Sequence, residues 1–375
     1  MELNNPASDS ATPPQADKPW LEVVGSRYFL DWLQDRQTSL AFSTYQTGKM
    51  FFVGRKPEHR LGVFERTFPH CMGLWASPDA QSLWMSSRYQ LWRLDNLLVR
   101  GVAADSDQPS PLGDDSFDAV YVPRVGYTTG HLDVHDVTVE DSGRVVLVNT
   151  MFGCLATLSE RASFQPLWQP PFLSALAAED RCHLNGLALR DGRARYVTAV
   201  ARTDVPEGWR ERRTDGGCVI DVTTGNVMVE GLSMPHSPRW YQDRLWVLNS
   251  GRGEFGYVDL ERGKFEPIAF CPGYLRGLAF SGQWAIVTLS LPRQRTFDGL
   301  PLDEEMQKRN AEPQCGLYVI DLQTGHVVHT VRLEGELVTE LYDVVTLPNI
   351  TRPKALGFKT NEIERLVLVD EPGEL

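Results

Sequence analysis

A repeated strand–turn–strand pattern is the feature of this sequence that most restricts its fold. The stretch "CHLNGLALRDGRARYVTA" from Cys182 predicts a β-hairpin, because two strand-like runs flank a "DG" turn. Most repeats continue into further short strands, and four-stranded sheets of this kind arranged around one axis form a β-propeller. Similar inner strands begin near Pro69, Asp133, His183, His236, Tyr274 and Glu340.

The two chain ends are expected to complete one blade together. The inner strand at Tyr342 to Leu347 has no outer strands after it, whereas "SLAFSTY", "KMFFVGR" and "LGVFERTF" near the amino terminus have no inner strand. Joining them predicts an all-β fold, a six-bladed propeller closed by N- and C-terminal strands, with seven blades as the alternative. The expected organisation is a disordered leader over 1–20 and one propeller domain over 21–375.

Four further segments interrupt the repeats. Residues 26–37 have the periodicity of a short amphipathic helix, and insertions are predicted over 101–118, 203–216 and 291–314. The last two join the second and third strands of a blade, so they should cover the face where inner strands begin. They would bring Arg202 and Arg293 to that face as substrate-binding residues.

Composition excludes some classes of partner. A formal net charge of −12 and a pI near 5.2 argue against nucleic acid and against an anionic membrane surface. The first twenty residues match neither a signal peptide nor a membrane anchor. Six cysteines without a CxxC pair indicate free thiols, which predicts a cytoplasmic location. Nothing in the sequence assigns an oligomeric state.

Histidines are concentrated where the inner strands begin. Five of the eight, at positions 70, 131, 135, 183 and 236, lie at these entrances. Inner strands converge on the axis, so these side chains should face one another. At the entrance level we expect His70, Asp133, His183, Tyr274 and Glu340, with His236 close to the same level. The next level inward should contain Met72, His135, Asn185, Ser237, Arg276 and Tyr342.

Imidazoles from several blades around one axis predict a divalent transition-metal site, holding Zn, Fe, Cu or Mn. The expected function is that of a metal-dependent enzyme acting on a small anionic molecule or a peptide, by hydrolysis or oxidation. Tyr274, Tyr342 and Arg276 are the expected catalytic residues, and Asn185 is a third substrate-binding candidate. The predicted metal ligands are His70, His183, His236, Glu340, His135 and Asp133.

The motifs "NGLA" at Asn185 and "RGLAF" at Arg276 resemble inner strands of the gluconolactonase, strictosidine-synthase and NHL superfamily of six-bladed propellers. More closely, the chain resembles an uncharacterised family of bacterial conserved hypothetical β-propeller proteins. The superfamily resemblance implies an axial calcium ion, but only Asn185 matches its ligand motif. His70 or Met72 and Ser237 stand where acidic ligands are expected, whereas calcium requires several oxygens.

Two other functions remain open from the sequence. A calcium-dependent, lactonase-like hydrolase would use Asn185, Asp133, Glu340 and Asp343 as oxygen ligands. A non-catalytic binding or scaffold propeller would use its histidines only as structural hydrogen-bonding groups. Cys182 is predicted to be a structural thiol, because adjacent residues of an extended chain point to opposite sides and it cannot share a proton with His183.

Overall fold

The protein is a six-bladed β-propeller, seen in a computed structural model that describes residues 20–100, 117–292 and 299–367. The predicted fold class is confirmed, and the six sheets of these residues rule out the seven-bladed alternative. The predicted leader up to residue 19, most of the 101–118 insertion and Arg293 lie outside the described residues. Within the described ranges, no helix is both long and apolar enough to cross a bilayer.

The first third of the chain contains the N-terminal strands and helix, followed by the strands of blade 1. The short helix predicted over 26–37 is confirmed as α1. The N-terminal elements are β1 (Glu22–Gly25), α1 (Phe29–Asp35), β2 (Thr38–Thr44), β3 (Lys49–Lys56) and β4 (Arg60–Thr67). Blade 1 contains β5 (Leu74–Ala76), β6 (Ser82–Ser86), β7 (Gln90–Asn96) and β8 (Ala119–Thr128).

The next three blades follow in chain order, each with its innermost strand first. Blade 2 contains β9 (Val134–Val139), β10 (Val145–Asn149), β11 (Cys154–Thr157) and β12 (Gln165–Trp168). Blade 3 contains β13 (Leu184–Arg190), β14 (Arg193–Ala199), β15 (Gly217–Asp221) and β16 (Val227–Leu232). Blade 4 contains β17 (Pro235–Tyr241), β18 (Arg244–Asn249), β19 (Glu254–Asp259) and β20 (Lys264–Phe270).

The last blades close the ring. Blade 5 contains β21 (Tyr274–Ser281), β22 (Trp284–Ser290), β23 (Gly316–Asp321) and β24 (Val327–Glu334), with α2 (Pro301–Arg309) between its second and third strands. Two short C-terminal strands follow, β25 (Val344–Pro348) and β26 (Pro353–Ala355). β25 pairs with β2, so blade 6 has the order β25-β2-β3-β4 and both chain ends contribute to it, as predicted.

Both chain ends also reach a neighbouring blade, which the sequence did not predict. β1 adds a fifth strand to blade 5 by pairing antiparallel with β24, and β26 adds a fifth strand to blade 1 by pairing parallel with β8. The N- and C-terminal segments therefore connect blades 5, 6 and 1. These added strands are only four and three residues long and have no counterpart in the repeats.

At one level along the channel, the six inner strands contribute glycine and polar residues in alternation. Asp136 Oδ2 accepts a hydrogen bond from Leu187 N at 2.9 Å, and Asp343 Oδ2 accepts one from Leu74 N at 2.9 Å. Each polar side chain thus binds the backbone of the next blade beside a glycine, where a Cβ atom would collide with neighbouring atoms. This set, called the third ring below, consists of Gly73, Asp136, Gly186, Ser237, Gly277 and Asp343.

The cysteines behave as predicted. All six are buried free thiols, and burial raises the pKa of Cys271 to about 12. Cys182 packs in the apolar cluster shared by blades 2 and 3, so its sulfur lies in the core. The thiols therefore contribute packing rather than chemistry.

Candidate functional site

Four blades begin with the same unusual backbone conformation. His70, Asp133, His183 and Met234 have left-handed φ angles of 52°, 53°, 49° and 48°, which non-glycine residues seldom adopt. The shared conformation identifies equivalent positions. We call these four positions, together with Tyr274 of blade 5 and Glu340 of blade 6, the first ring, and Met234 is its member in blade 4. The expectation that His236 lies level with His70 and His183 is wrong.

His236 belongs to the second ring, one level deeper. Its Nδ1 lies 2.8 Å from Met234 O, and His135 Nδ1 lies 2.8 Å from Asp133 O, so both histidines contact the backbone two residues earlier. Ser237 consequently lies in the third ring rather than the second, because its hydroxyl donates to the Arg276 carbonyl beside Gly277. The second ring is Met72, His135, Asn185, His236, Arg276 and Tyr342.

His183 forms a hydrogen-bonded pair with a carboxylate that the sequence analysis did not single out. Its Nδ1 lies 2.9 Å from Asp180 Oδ2, and Trp209 Nε1 donates to the same oxygen at 2.8 Å. An acceptor at Nδ1 places the ring proton there and leaves the Nε2 lone pair available. Within the described chain, Nε2 of His183 has no hydrogen bond.

Trp209 also packs against His183, with ring centroids 4.3 Å apart and ring planes inclined by 34°. It lies in the 3₁₀ turn Gly208–Arg212, inside the insertion predicted over 203–216. The prediction that this insertion covers the inner-strand face is therefore confirmed. Cys182 and His183 are neighbours in sequence but have separate environments, since the sulfur is in the core and the imidazole is at the channel.

The second insertion joins the same cover. Leu302 and Met306 of α2 pack in one apolar cluster with Trp209, Met234 and Tyr274. The two insertions thus meet above blades 3, 4 and 5. We define the cover as these five residues together with Leu300, which packs in the same cluster.

His135 and Tyr342 lie beside His183 on the channel side. The ring centroid of His135 is 4.8 Å from that of His183 and 5.7 Å from that of Tyr342. Burial, reinforced by the neighbouring His183, lowers the pKa of His135, while Asp133 opposes that shift. Burial raises the pKa of Tyr342 well above its ordinary value. Its hydroxyl is buried and has no hydrogen-bond partner among the described residues.

Both ring nitrogens of His236 are engaged within the protein. Asn185 Nδ2 lies 3.1 Å from Nε2, and Nδ1 faces Met234 O and Ser250 Oγ. Burial first, and then the positive charge of Arg276, lower the pKa of His236 well below its ordinary value. This histidine is therefore neutral near pH 7 and, unlike His135 and His183, has no free nitrogen.

The predicted catalytic arginine is buried among aromatic rings. The Arg276 guanidinium lies 5.4 Å from the ring centroid of Tyr274 and 5.1 Å from that of Tyr342. Its Nη1 is 3.4 Å from Glu340 Oε2, and both side chains are at most 9% exposed. All three predicted catalytic residues, Tyr274, Tyr342 and Arg276, are thus in contact. Glu340 neutralises much of the arginine's charge.

The entrance is partly exposed on the side of blades 1 and 2. His70 and Asp133 are half-buried there, and the exposed Arg88 follows β6. Burial is the main cause that lowers the pKa of His70, and the positive charge of Arg88 adds to it. Arg88 is a cationic residue of the rim that sequence reasoning missed.

The six predicted metal ligands do not form one ligand set. In the described part of the chain, no group of three or more His, Cys, Asp or Glu side chains is arranged to hold a metal ion. Glu340 contacts Arg276, and Asp133 lies beside His135 with 3.7 Å between Oδ2 and Nδ1.

Arg202 and Asp343, which the sequence also suggested as substrate or ion ligands, contact other groups of the protein. Arg202 lies at the outer edge of blade 3, where its Nη1 is 3.3 Å from Glu230 Oε2 and both side chains are exposed. Asp343, an oxygen ligand in the calcium alternative, instead accepts backbone hydrogen bonds from Leu74 and Val344.

Comparison with known proteins places the chain in a family. It belongs to the family described as "Domain of unknown function (DUF4915)", whose model matches residues 27–356. No curated protein matches the sequence. The nidogen/laminin complex contains a similar fold, with 11% identity, a TM-score of 0.50, and coverage of 83% of this chain and 99% of that chain.

Two bacterial proteins of known structure also match. TolB from Acinetobacter baumannii is 11% identical over 84% of this chain and 67% of its own, with a TM-score of 0.46. Virginiamycin B lyase from Staphylococcus aureus is 10% identical over 84% of this chain and 99% of its own, with a TM-score of 0.36.

Proposed function

For this member of the DUF4915 family, we propose that the end of the channel beside His135 and His183 is an active site for acid–base chemistry on a small anionic molecule. The observation that carries the proposal is the His183–Asp180 pair. A carboxylate at Nδ1 orients an imidazole and stabilises the cation that forms when Nε2 takes a proton. His183 is the general base in this proposal, and Asp180 is its positioning residue.

Tyr342 is suited to donate a proton or a hydrogen bond. Its raised pKa keeps the phenol protonated, and its buried hydroxyl has no partner in the described chain. Buried polar groups are nearly always hydrogen-bonded, so an orphaned hydroxyl beside His135 supports a ligand at this position. His183 and Tyr342 both lie beside His135, and a base and a neutral donor this close to one another can move a proton onto and off a substrate.

An anionic substrate fits the positive groups of the site. Arg88 is exposed at the entrance, and Arg276 lies in the second ring. Arg276 is paired with Glu340, so it would orient a carboxylate or phosphate through its donors more than through net charge. Arg88 would supply attraction at the open side, away from the cover.

A divalent transition metal is the second candidate, favoured by one observation. His135 and His183 both direct Nδ1 at an oxygen, which leaves two Nε2 lone pairs on rings 4.8 Å apart. Metal-binding histidines characteristically donate their other ring N–H to a carbonyl or carboxylate. Zn, Fe, Cu or Mn would be held by these two nitrogens, whereas calcium would find few of its preferred oxygens.

Chemical modification tests the proposed base without knowledge of the substrate. Diethyl pyrocarbonate attacks unprotonated imidazole nitrogen, so mass mapping should show modification at His183 and not at the fully bonded His236. Hydrolysis of nitrophenyl acetate, nitrophenyl phosphate and valerolactone would be measured in parallel. We expect His183→Ala and Asp180→Asn to abolish any hydrolysis, with the neighbouring Cys182→Ser as a matched control that retains it.

The proposal fails if His183 resists modification as strongly as His236 does, or if Cys182→Ser and His183→Ala change hydrolysis equally. Elemental analysis of protein purified without an affinity tag decides the metal candidate. Stoichiometric metal that is lost in both His135→Ala and His183→Ala would support it. Metal that is retained in both variants would contradict it.

A further inference from the structure

A cavity opens at the end of the channel opposite to His183, beyond the third ring. It has a volume of about 520 Å³ and is lined by the later parts of the inner strands of all six blades. A volume of this size is typical of small-molecule sites. Its walls are mainly apolar, and five blades contribute an aliphatic residue close to the third ring: Leu74, Val137, Leu187, Leu278 and Val344.

Blade 4 contributes a charged residue, Arg239, to the same cavity. Its Nη1 lies 2.7 Å from Asp136 Oδ2 and donates to Leu187 O at 3.0 Å, while its Nη2 lies 3.7 Å from Asp343 Oδ2. These ion pairs cross the channel axis between blades 2, 4 and 6. Arg239 and its two carboxylates therefore lie between the second ring and this cavity.

The guanidinium belongs to the most exposed charged side chain at the inner end of the cavity, although Asp136 also lines the cavity. The Arg239 side chain is 22% exposed, against 5% for Asp136 and 4% for Asp343. Nη1 and Nη2 face the carboxylates and a carbonyl, but Nε has no hydrogen bond within the described residues. The inner end of the cavity thus offers an N–H donor surrounded by aliphatic side chains.

The charged groups at the inner end of the cavity disfavour the binding of both anions and cations. The guanidinium already pairs with the buried Asp136 carboxylate and lies beside the carboxyl group of Asp343, so an anion would add negative charge in a buried region. A cation would have to approach the guanidinium, which is the most exposed charged group of the three. A neutral hydrogen-bond acceptor has neither penalty, and an apolar body would bury surface against the aliphatic walls.

We propose that this cavity binds an uncharged, mainly apolar molecule whose carbonyl-type oxygen accepts a hydrogen bond from Arg239. The outer part of the cavity contains Tyr241 and Phe280, whose rings stack with centroids 4.4 Å apart and could pack on an aromatic or aliphatic body. The site is independent of the His183 site, because none of its residues belongs to the first or second ring.

Four probes of equal carbon number test the ligand class on the wild-type protein. Benzylacetone carries a carbonyl acceptor, butylbenzene carries none, phenylbutyrate is an anion and phenylbutylamine is a cation. Binding would be followed by ligand-observed NMR and by tryptophan fluorescence, since Trp75 and Trp240 line the cavity. We expect benzylacetone to bind at least about tenfold more tightly than the other three, as one added hydrogen bond or one avoided buried charge would give.

A cavity-filling variant locates the binding. Leu189 lines the cavity and is an apolar residue outside the ion pairs, so Leu189→Trp should abolish benzylacetone binding, whereas His183→Ala at the other end should leave it unchanged. Tightest binding of phenylbutyrate or phenylbutylamine would overturn the proposal. The proposal would also be overturned if none of the four probes bound, or if a folded Leu189→Trp protein bound benzylacetone as tightly as wild type does. If that variant does not fold, the order of the four affinities still decides.

Discussion

Arg239 and Asp136 form a 2.7 Å ion pair across the channel, although their inner strands are separated by blade 3. Asp136 also accepts a hydrogen bond from Leu187 N, in the blade between them. Asp343 of blade 6 is the second carboxylate near the guanidinium, at 3.7 Å. One arginine thus links three blades that meet at the axis, and its removal leaves two buried carboxylates without a cation.

Replacement of Arg239 by methionine should destabilise the propeller strongly. Methionine keeps much of the apolar stem, but the buried Asp136 carboxylate loses its counter-charge, which typically costs about 3–5 kcal/mol. Urea denaturation followed by fluorescence would measure the free energy of unfolding. Arg190→Met is the matched control, because Arg190 is 37% exposed and stacks on Trp240 at the surface. A loss below about 1 kcal/mol in Arg239→Met would contradict this role.

Asp343 should make stability depend on pH. Burial and the negative charge of Asp136 raise the pKa of Asp343 to about 7, despite the opposing effect of Arg239. A carboxyl with a raised folded-state pKa stabilises the fold at low pH, and that contribution is lost as the pH rises through the folded-state pKa. Wild type should therefore lose stability relative to Asp343→Asn between about pH 4 and pH 7, by at most about 1.4 kcal/mol per pH unit.

The comparison between wild type and Asp343→Asn cancels the titration of the histidines, which both proteins share. Urea unfolding at several pH values in one buffer series would give the difference in unfolding free energy. A difference that is constant across this range, or one that grows in favour of wild type as pH rises, is incompatible with a raised pKa of Asp343.

The inner strands could be predicted from sequence because they repeat. Hydrophobic runs preceded by a short polar entrance recur in every blade, so the number of blades and the closure by both chain ends followed. Blade 4 shows the limit of that method. Pro235 and Pro238 lie beside His236, and Ser237 replaces glycine or aspartate in the third ring. The repeat pattern therefore predicts His236 one level too close to the entrance.

The site depends on contacts that no local pattern encodes. Trp209 is 29 residues from Asp180 and meets Asp180 and His183 only because the insertion folds back over blade 3. Arg239 is the exception that sequence could have revealed. It lies two residues after the third ring, where the other inner strands carry uncharged residues, and a buried charged residue needs a partner.

The glycines of the third ring should tolerate no side chain. A Cβ at Gly277 would lie 2.7 Å from both Asp343 Cα and Tyr342 O, which are backbone atoms of the next blade. Gly277→Ala should therefore cost about 1–3 kcal/mol by overpacking. Gly62→Ala on β4 is the matched control, because its nearest atom is the flexible Lys56 side chain at 3.3 Å. Equal melting temperatures for the two variants would show that the inner strands can separate at little cost.

Closure of the ring by the chain ends predicts a graded response to truncation. A chain that stops after Glu340 lacks β25, the inner strand of blade 6, together with the Asp343 carboxylate, so cooperative thermal unfolding should be lost. A chain that stops after Ile350 keeps blade 6 but lacks β26 and the buried side chains of Ala355, Leu356 and Leu366, so it should stay folded with a loss of at least about 1–3 kcal/mol. Removal of residues 1–18 is the control and should leave the melting temperature unchanged. Circular dichroism melts distinguish these outcomes, and a chain ending at Glu340 that melts cooperatively at the wild-type temperature would show that β25 is not needed to close the propeller.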